Sequence, residues 1–147
     1  MLKTFLNLFK FVWSHPHNKG QRISAIGRVL RWQLASRLMP GLIALPFVNQ
    51  TFLFATRGMT GATGNWYCGL HEYEDMSFVL DSVGDGDLVV DVGANIGSYT
   101  ILAASTGAKV LAIEPIPTTY KSLQKNILLN DLLDSVESLN IGLGRKA

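Results

Sequence analysis

The spacing of apolar positions divides the chain into helical and extended stretches. Residues 2–13 are apolar with Lys3, Asn7 and Lys10 along one side, which predicts a short helix. Residues 22–38 predict a longer one. Ile23, Ile26, Leu30, Leu34 and Leu38 recur at spacings of three and four, Arg28, Arg31 and Arg37 lie elsewhere on the wheel, and Pro40-Gly41 ends the run. The apolar stripe is expected to pack on the body. Residues 42–48 and 51–55 are rich in Phe, Ile, Val and Thr and read as two short strands turning at Asn49-Gln50. Gly58, Gly61 and Gly64 read as a loop. A helix over 72–82 follows, with Tyr73, Met76, Phe78, Val79 and Leu80 as its apolar side, closed by the turn Gly84-Asp85-Gly86-Asp87.

The period then changes. Residues 88–92, Leu-Val-Val-Asp-Val, are a short run without alternation, as expected of a parallel strand buried on both faces. The run enters Gly93-Ala94-Asn95-Ile96-Gly97, and a helix over about 98–105 with Gly107 as its stop follows. Residues 109–113 read as a second strand ending at Glu114. A third helix, capped by Thr118 or Thr119, carries Tyr120, Leu123 and Ile127 on one side, and 136–140 read as a third strand. Strand, helix, strand, helix, strand with short links is a right-handed parallel βαβαβ unit, half of a doubly wound sheet.

Such a strand-to-helix turn converges backbone N–H groups and a helix start on one point, where a polar ligand head can bind. Gly93 and Gly97 remove side chains that would block close approach, and Asn95 tolerates a left-handed backbone. Glu114 stands at the neighbouring strand tip, placed to accept hydrogen bonds from a ribose diol. A dinucleotide or S-adenosylmethionine fits this pattern. The dinucleotide fingerprint G-x-G-x-x-G is absent, and Asp91, just before the turn, opposes a pyrophosphate but suits an ammonium. The plain alternative is that Asp91 and Glu114 only cap strand ends.

Charge adds a second feature. The 147 residues carry a formal +2, but residues 1–60 hold Lys3, Lys10, Lys19, Arg22, Arg28, Arg31, Arg37 and Arg57 with no acid, a net +8. The remainder carries all 11 acids and sums to −6. A basic front on an acidic body attracts nucleic acid or anionic lipid, or packs the two parts together. Mutual packing is the favoured reading, with peripheral membrane contact through residues 1–38 next. No aromatic-plus-basic motif is evident, so no nucleic-acid partner is expected. Residues 38–56, the longest uncharged stretch, contain Pro40, Gly41, Pro46, Asn49 and Gln50, so no transmembrane helix is expected. The single Cys68 excludes an internal disulfide and reads as buried, in a reducing cytoplasmic setting; three histidines give little for a metal cage.

At the glycine turn the chain resembles the FkbM family of S-adenosylmethionine-dependent methyltransferases. The resemblance lies in Asp91-Val-Gly-Ala-Asn-Ile-Gly-Ser-Tyr-Thr100, in Ile113-Glu114-Pro115-Ile116-Pro117, in Leu123-x-x-Asn126-Ile127-x-Leu129-Asn130 and upstream in Tyr67-Cys-Gly-Leu-His-Glu72. It implies an α/β fold: a partial Rossmann-like class I methyltransferase fold, the first βαβαβ half of the doubly wound sheet, with an N-terminal helical and hairpin extension. Residues 1–63 are then the basic extension and 64–147 an incomplete methyltransferase domain, a fragment whose first strand leaves an open edge for self-association. The implied activity is methyl transfer to a hydroxyl of a small-molecule or glycan acceptor. Asp91, Gly93, Ala94, Asn95 and Gly97 would hold the methionine part, Glu114 the ribose, and Pro115 and Ile116 would border the adenine. Glu72 is the residue of the lead-in expected in the substrate pocket, and with His71 and Glu74 it is a candidate base. The alternative is a non-catalytic remnant that contacts a membrane or a partner protein through its basic front.

Overall fold

The computed structural model describes residues 2–144; Met1, Arg145, Lys146 and Ala147 lie outside the described residues. Helices α1 (Leu2–Ser14) and α2 (Arg22–Leu38) are followed by strands β1 (Ile43–Pro46) and β2 (Phe52–Ala55) and by helices α3 (Thr60–Cys68) and α4 (Tyr73–Ser82). Then come β3 (Leu88–Val92), α5 (Ser98–Ala104), β4 (Lys109–Ile113), α6 (Pro117–Leu129) and β5 (Val136–Leu139). Strands β1 and β2 form an antiparallel hairpin, and β3, β4 and β5 a parallel sheet in that order. Asp91 lies opposite Ala112, and Ile113 opposite Leu139. The α/β architecture is a parallel βαβαβ unit, as expected of half a doubly wound sheet, preceded by a helical and hairpin extension.

One apolar cluster runs from α1 and α2 through the hairpin to the parallel sheet, joining Val12, Val29 and Leu53 to Ile101, Leu123 and Ile127. The junction of the extension is polar. The buried Asn18 amide donates to the Val12 carbonyl at 2.9 Å, while Arg28 donates to Asn18 Oδ1 at 3.0 Å and to the Tyr67 carbonyl at 2.8 Å. Carbonyl and amide oxygens, rather than carboxylates, hold this cation, so the basic front docks here without ion pairing.

Three elements differ from expectation. In α2 most of the stripe expected to pack inward faces out: Ile23 is 86% exposed and Leu34 62%, whereas Ile26 packs on the core and Ala25, Val29 and Trp32 are buried. Ala25 and Val29 are small enough to let α2 approach its neighbours closely, and Arg28, on the same side, is held to Tyr67. Close packing and a fixed polar anchor outweigh the larger apolar area of the Ile/Leu stripe. The loop expected at 58–64 is in its second half helix α3, because Gly64 serves packing rather than turning. A Cβ there would come within 2.4 Å of His71 Nδ1. In β3 only one face is covered. Val89 packs against the core, whereas Leu88, Val90 and Val92 are exposed, since α5 and α6 both pack on the face that carries Val110, Ala112 and Val136.

Two asparagines of α6 fasten the hairpin to the sheet layer. Asn126, fully buried, accepts from the Phe54 N–H at 2.8 Å and donates to the Ile96 carbonyl at 2.7 Å. Asn130 accepts from the Phe52 N–H and donates to the Phe52 carbonyl. Side chains thus supply the backbone partners that strand β2 lacks on its outer side, and Asn126 ties that strand directly to the glycine turn.

Candidate functional site

The turn after β3 is built from positive-φ residues: Gly93 at 80°, Asn95 at 53° and Gly97 at 95°. The two glycines do different work. A Cβ at Gly93 would meet nothing within 4 Å, so the backbone there stays open to an approaching ligand; one at Gly97 would lie 2.6 Å from Leu123 Cδ1, so Gly97 lets α5 sit close on α6. The turn's donors are engaged from within. The N–H groups of Gly93 and Ala94 both donate to the Ile113 carbonyl, at 2.8 and 3.0 Å, and the Asn95 N–H donates to Glu114 Oε2 at 2.8 Å. The other Glu114 oxygen accepts from the Ile116 N–H at 2.9 Å. Glu114, only 4% exposed, therefore clamps the turn to the end of β4.

Beside the turn lies a cavity of about 730 Å³, whose wall includes Asp91, Gly93, Ala94, Asn95, Glu72 and Tyr99. Gly58–Gly61 and Asn65 close it from the α3 side, and Thr118, Thr119 and Ser122 from α6. Of the residues expected at the site, Asp91, Gly93, Ala94, Asn95 and Glu72 meet here, with His71. Gly97, Glu114, Pro115 and Ile116 stand outside this lining, Gly97 in a helix contact and Glu114 in its clamp.

Asp91 Oδ2 accepts from the buried Thr100 hydroxyl at 2.6 Å. Burial raises the Asp91 carboxyl above its ordinary range; the Thr100 bonds oppose this and the nearby Glu114 charge adds to it. Glu72 Oε2 accepts from the Tyr99 hydroxyl at 2.9 Å. Burial, then the bond to Glu72 and the charges of Glu72, Asp75 and Asp91, push the Tyr99 phenol up, so it stays protonated and donates. Asn65 donates to Ser98 Oγ at 3.3 Å and accepts from the His71 N–H at 2.8 Å, linking α3 to the start of α5 and to the loop before Glu72. Thr100 and Tyr99 were within reach of sequence reading, lying in the run that begins at Asp91. Asn65 and Gly58–Gly61 were not: residues 58–64 read only as a loop, and Asn65 comes to the site on the helix α3 that forms there instead.

The donor set fits a cationic ligand. The cavity wall holds two carboxylates and no Lys or Arg. The internally bonded turn leaves no nest of N–H groups at Gly93 and Ala94 for a pyrophosphate.

A family model for the TRM5/TYW2 methyltransferase domain matches residues 66–143. The chain belongs to this family. It is an S-adenosylmethionine-dependent methyltransferase domain, and the cofactor is the cationic ligand that the cavity suits. The TRM5/TYW2 match replaces the FkbM resemblance. An acid, a glycine turn and a strand-tip acid are expected wherever this cofactor binds, so the pattern does not separate methyltransferase families that share it. Similar sequences include methyltransferase sdnD of Sordaria araneosa, 35% identical over 77 residues, covering 51% of this chain and 30% of that protein. Another is the tRNA (guanine(37)-N(1))-methyltransferase of Anopheles darlingi, 33% identical over 63 residues, covering 43% of this chain and 13% of that protein. This chain thus spans less than a third of either relative. The crystal structure of a transferase from Pyrococcus horikoshii superposes with a TM-score of 0.56 at 25% identity, covering 69% of this chain and 36% of that one.

These findings correct two further expectations. A small-molecule or glycan hydroxyl acceptor has no support in the TRM5/TYW2 family, and the expectation of no nucleic-acid partner conflicts with relatives that methylate tRNA. The latter expectation rested on the lack of a linear aromatic-plus-basic motif. In the fold, the exposed Trp13 of α1 and Arg22 of α2 come together, the guanidinium 5.2 Å from the ring.

Proposed function

We propose that this TRM5/TYW2 domain takes part in methylating a guanine ring nitrogen of tRNA. The family match over residues 66–143, with tRNA (guanine(37)-N(1))-methyltransferases among the relatives, carries this reading. S-adenosylmethionine supplies an electrophilic methyl group on a sulfonium. Asp91, oriented by Thr100, pairs with the ammonium of the methionine part, directly or through water, and the bare face of Gly93 admits that part. Glu114 acts by holding Asn95 and Ile116 in place, and Pro115 and Ile116 flank the end of β4 where an adenine would lie. Glu72 is the proton acceptor: Tyr99 engages one carboxylate oxygen, and the other takes the proton that leaves guanine N1 as the methyl group passes from sulfur to that nitrogen and the neutral thioether S-adenosylhomocysteine is released.

The test is transfer of a tritiated methyl group to unmodified tRNA carrying guanine or adenine at position 37. The reading expects label on the guanine transcript only, with at least a hundredfold loss in Glu72→Gln. Equal label on both transcripts, or an unaffected Glu72→Gln, contradicts it.

A further inference from the structure

The cavity wall is acidic, but the surface beside it is not. No acid precedes Glu72 in the chain, whereas eight Lys and Arg do. Arg28 is engaged in the Asn18–Tyr67 junction. Lys10, Lys19, Arg22 and Arg37 stand exposed on α1, on α2 and between them. This surface is joined to the cavity through the His71 ring, which lies on the cavity wall and packs edge-on to Phe11 of α1, centroids 5.5 Å apart. Two residues on, Trp13 is half exposed beneath the Arg22 guanidinium. On the other side, exposed Arg57 directly precedes Gly58 of the cavity wall.

Like charges on one surface repel until a polyanion spans them, and exposed aromatic rings among cations offer unpaired bases a stacking face. We propose that α1 and α2 form the RNA-docking face of this protein. Lys10, Arg22 and Arg37 engage backbone phosphates of an unpaired loop, and Trp13 stacks one of its bases. This rests on the reading that the methyl acceptor is a guanine in RNA. The exposed side of α2 carries Ile23, Leu30, Leu34 and Leu38 as well, which an anionic bilayer would also accept. The connection of this surface to the cavity, through His71 on one side and Arg57 on the other, favours RNA.

The test is fluorescence titration of the full chain with an RNA stem-loop bearing guanine in its unpaired loop, at several salt concentrations. Phosphatidylserine vesicles serve as the second probe. The wild type should bind the stem-loop with quenching of Trp13, a signal lost in Trp13→Phe. Lys10→Glu/Arg22→Glu/Arg37→Glu should bind at least tenfold more weakly, and its log–log salt slope should flatten by about 2, given about 0.7 per phosphate contact on a single strand. The charge-keeping variant Lys10→Arg/Arg22→Lys/Arg37→Lys should behave nearly as wild type, and both should bind S-adenosylhomocysteine as wild type does. Unchanged stem-loop affinity and slope in the charge-reversed variant overturn the proposal, as does binding to vesicles with none to RNA. The two readings separate cleanly. Charge-dependent docking without guanine methylation removes the acceptor assignment alone. Methylation undiminished by charge reversal removes the docking face alone.

Discussion

At Asp91 the demands of folding and of binding oppose each other. Burial raises its carboxyl, so the folded protein holds a proton there over a pH range in which the unfolded chain has released it. Its stability contribution is present below the ordinary Asp pKa and is lost as pH rises through the raised folded value. Cation binding needs the ionised form and gains over that same rise. Asp91→Asn, which keeps an acceptor for Thr100, should therefore leave the neutral-pH melting temperature equal or higher while lowering S-adenosylhomocysteine affinity at least tenfold. A scan of melting temperature against pH, paired with titration calorimetry, reads both. Loss of stability with retained binding would contradict the assignment. At Cys68, burial pushes the thiol up to about 11. Native protein at pH 8 should react with iodoacetamide far more slowly than denatured protein, as mass spectrometry would show. Both residues were legible in the sequence, Asp91 from its place before the turn and Cys68 from its apolar neighbours. The partner that orients Asp91 was not, because nothing in a linear pattern shows which hydroxyl of α5 turns back toward β3.

At the scale of elements, α6 connects the site to the extension. Asn126 joins β2 to the glycine turn by hydrogen bonds, and replacing it with Leu leaves the Ile96 carbonyl and the Phe54 N–H without these partners. A loss of about 2–4 kcal/mol in urea unfolding is expected; a loss under 1 kcal/mol would show that water replaces the amide. Gly97→Ala must place a methyl group at positive φ against Leu123, and about 1–3 kcal/mol of destabilisation is expected in the same assay. The β3–α5–β4–α6–β5 order follows from periodicity and turn residues alone, because β3 and β4 are short, mostly apolar runs and the links between elements are short. Helices α2 and α3 were harder. The inward face of α2 carries Ala25, Val29 and the large Trp32 beside the Arg28 anchor, and α3 tolerates Gly64 because a histidine ring fills its place. Both causes are tertiary, and neither alters the local pattern.

For the molecule as a whole, a cavity with an acidic wall sits beside a basic, aromatic-bearing helical surface. The charge division was plain in the sequence. Its meaning depended on Trp13 and Arg22 meeting across the turn between α1 and α2, and the family emerged only from the comparison over residues 66–143. The central claim is that the Asp91–Asn95 turn holds S-adenosylmethionine. Titration calorimetry of the chain with S-adenosylhomocysteine, alongside Gly93→Val and Asp91→Asn, tests it directly. The account predicts one site in the micromolar range, weakened at least tenfold in each variant while the fold survives. A folded wild-type chain that binds nothing, or variants that bind as well as wild type, would contradict it.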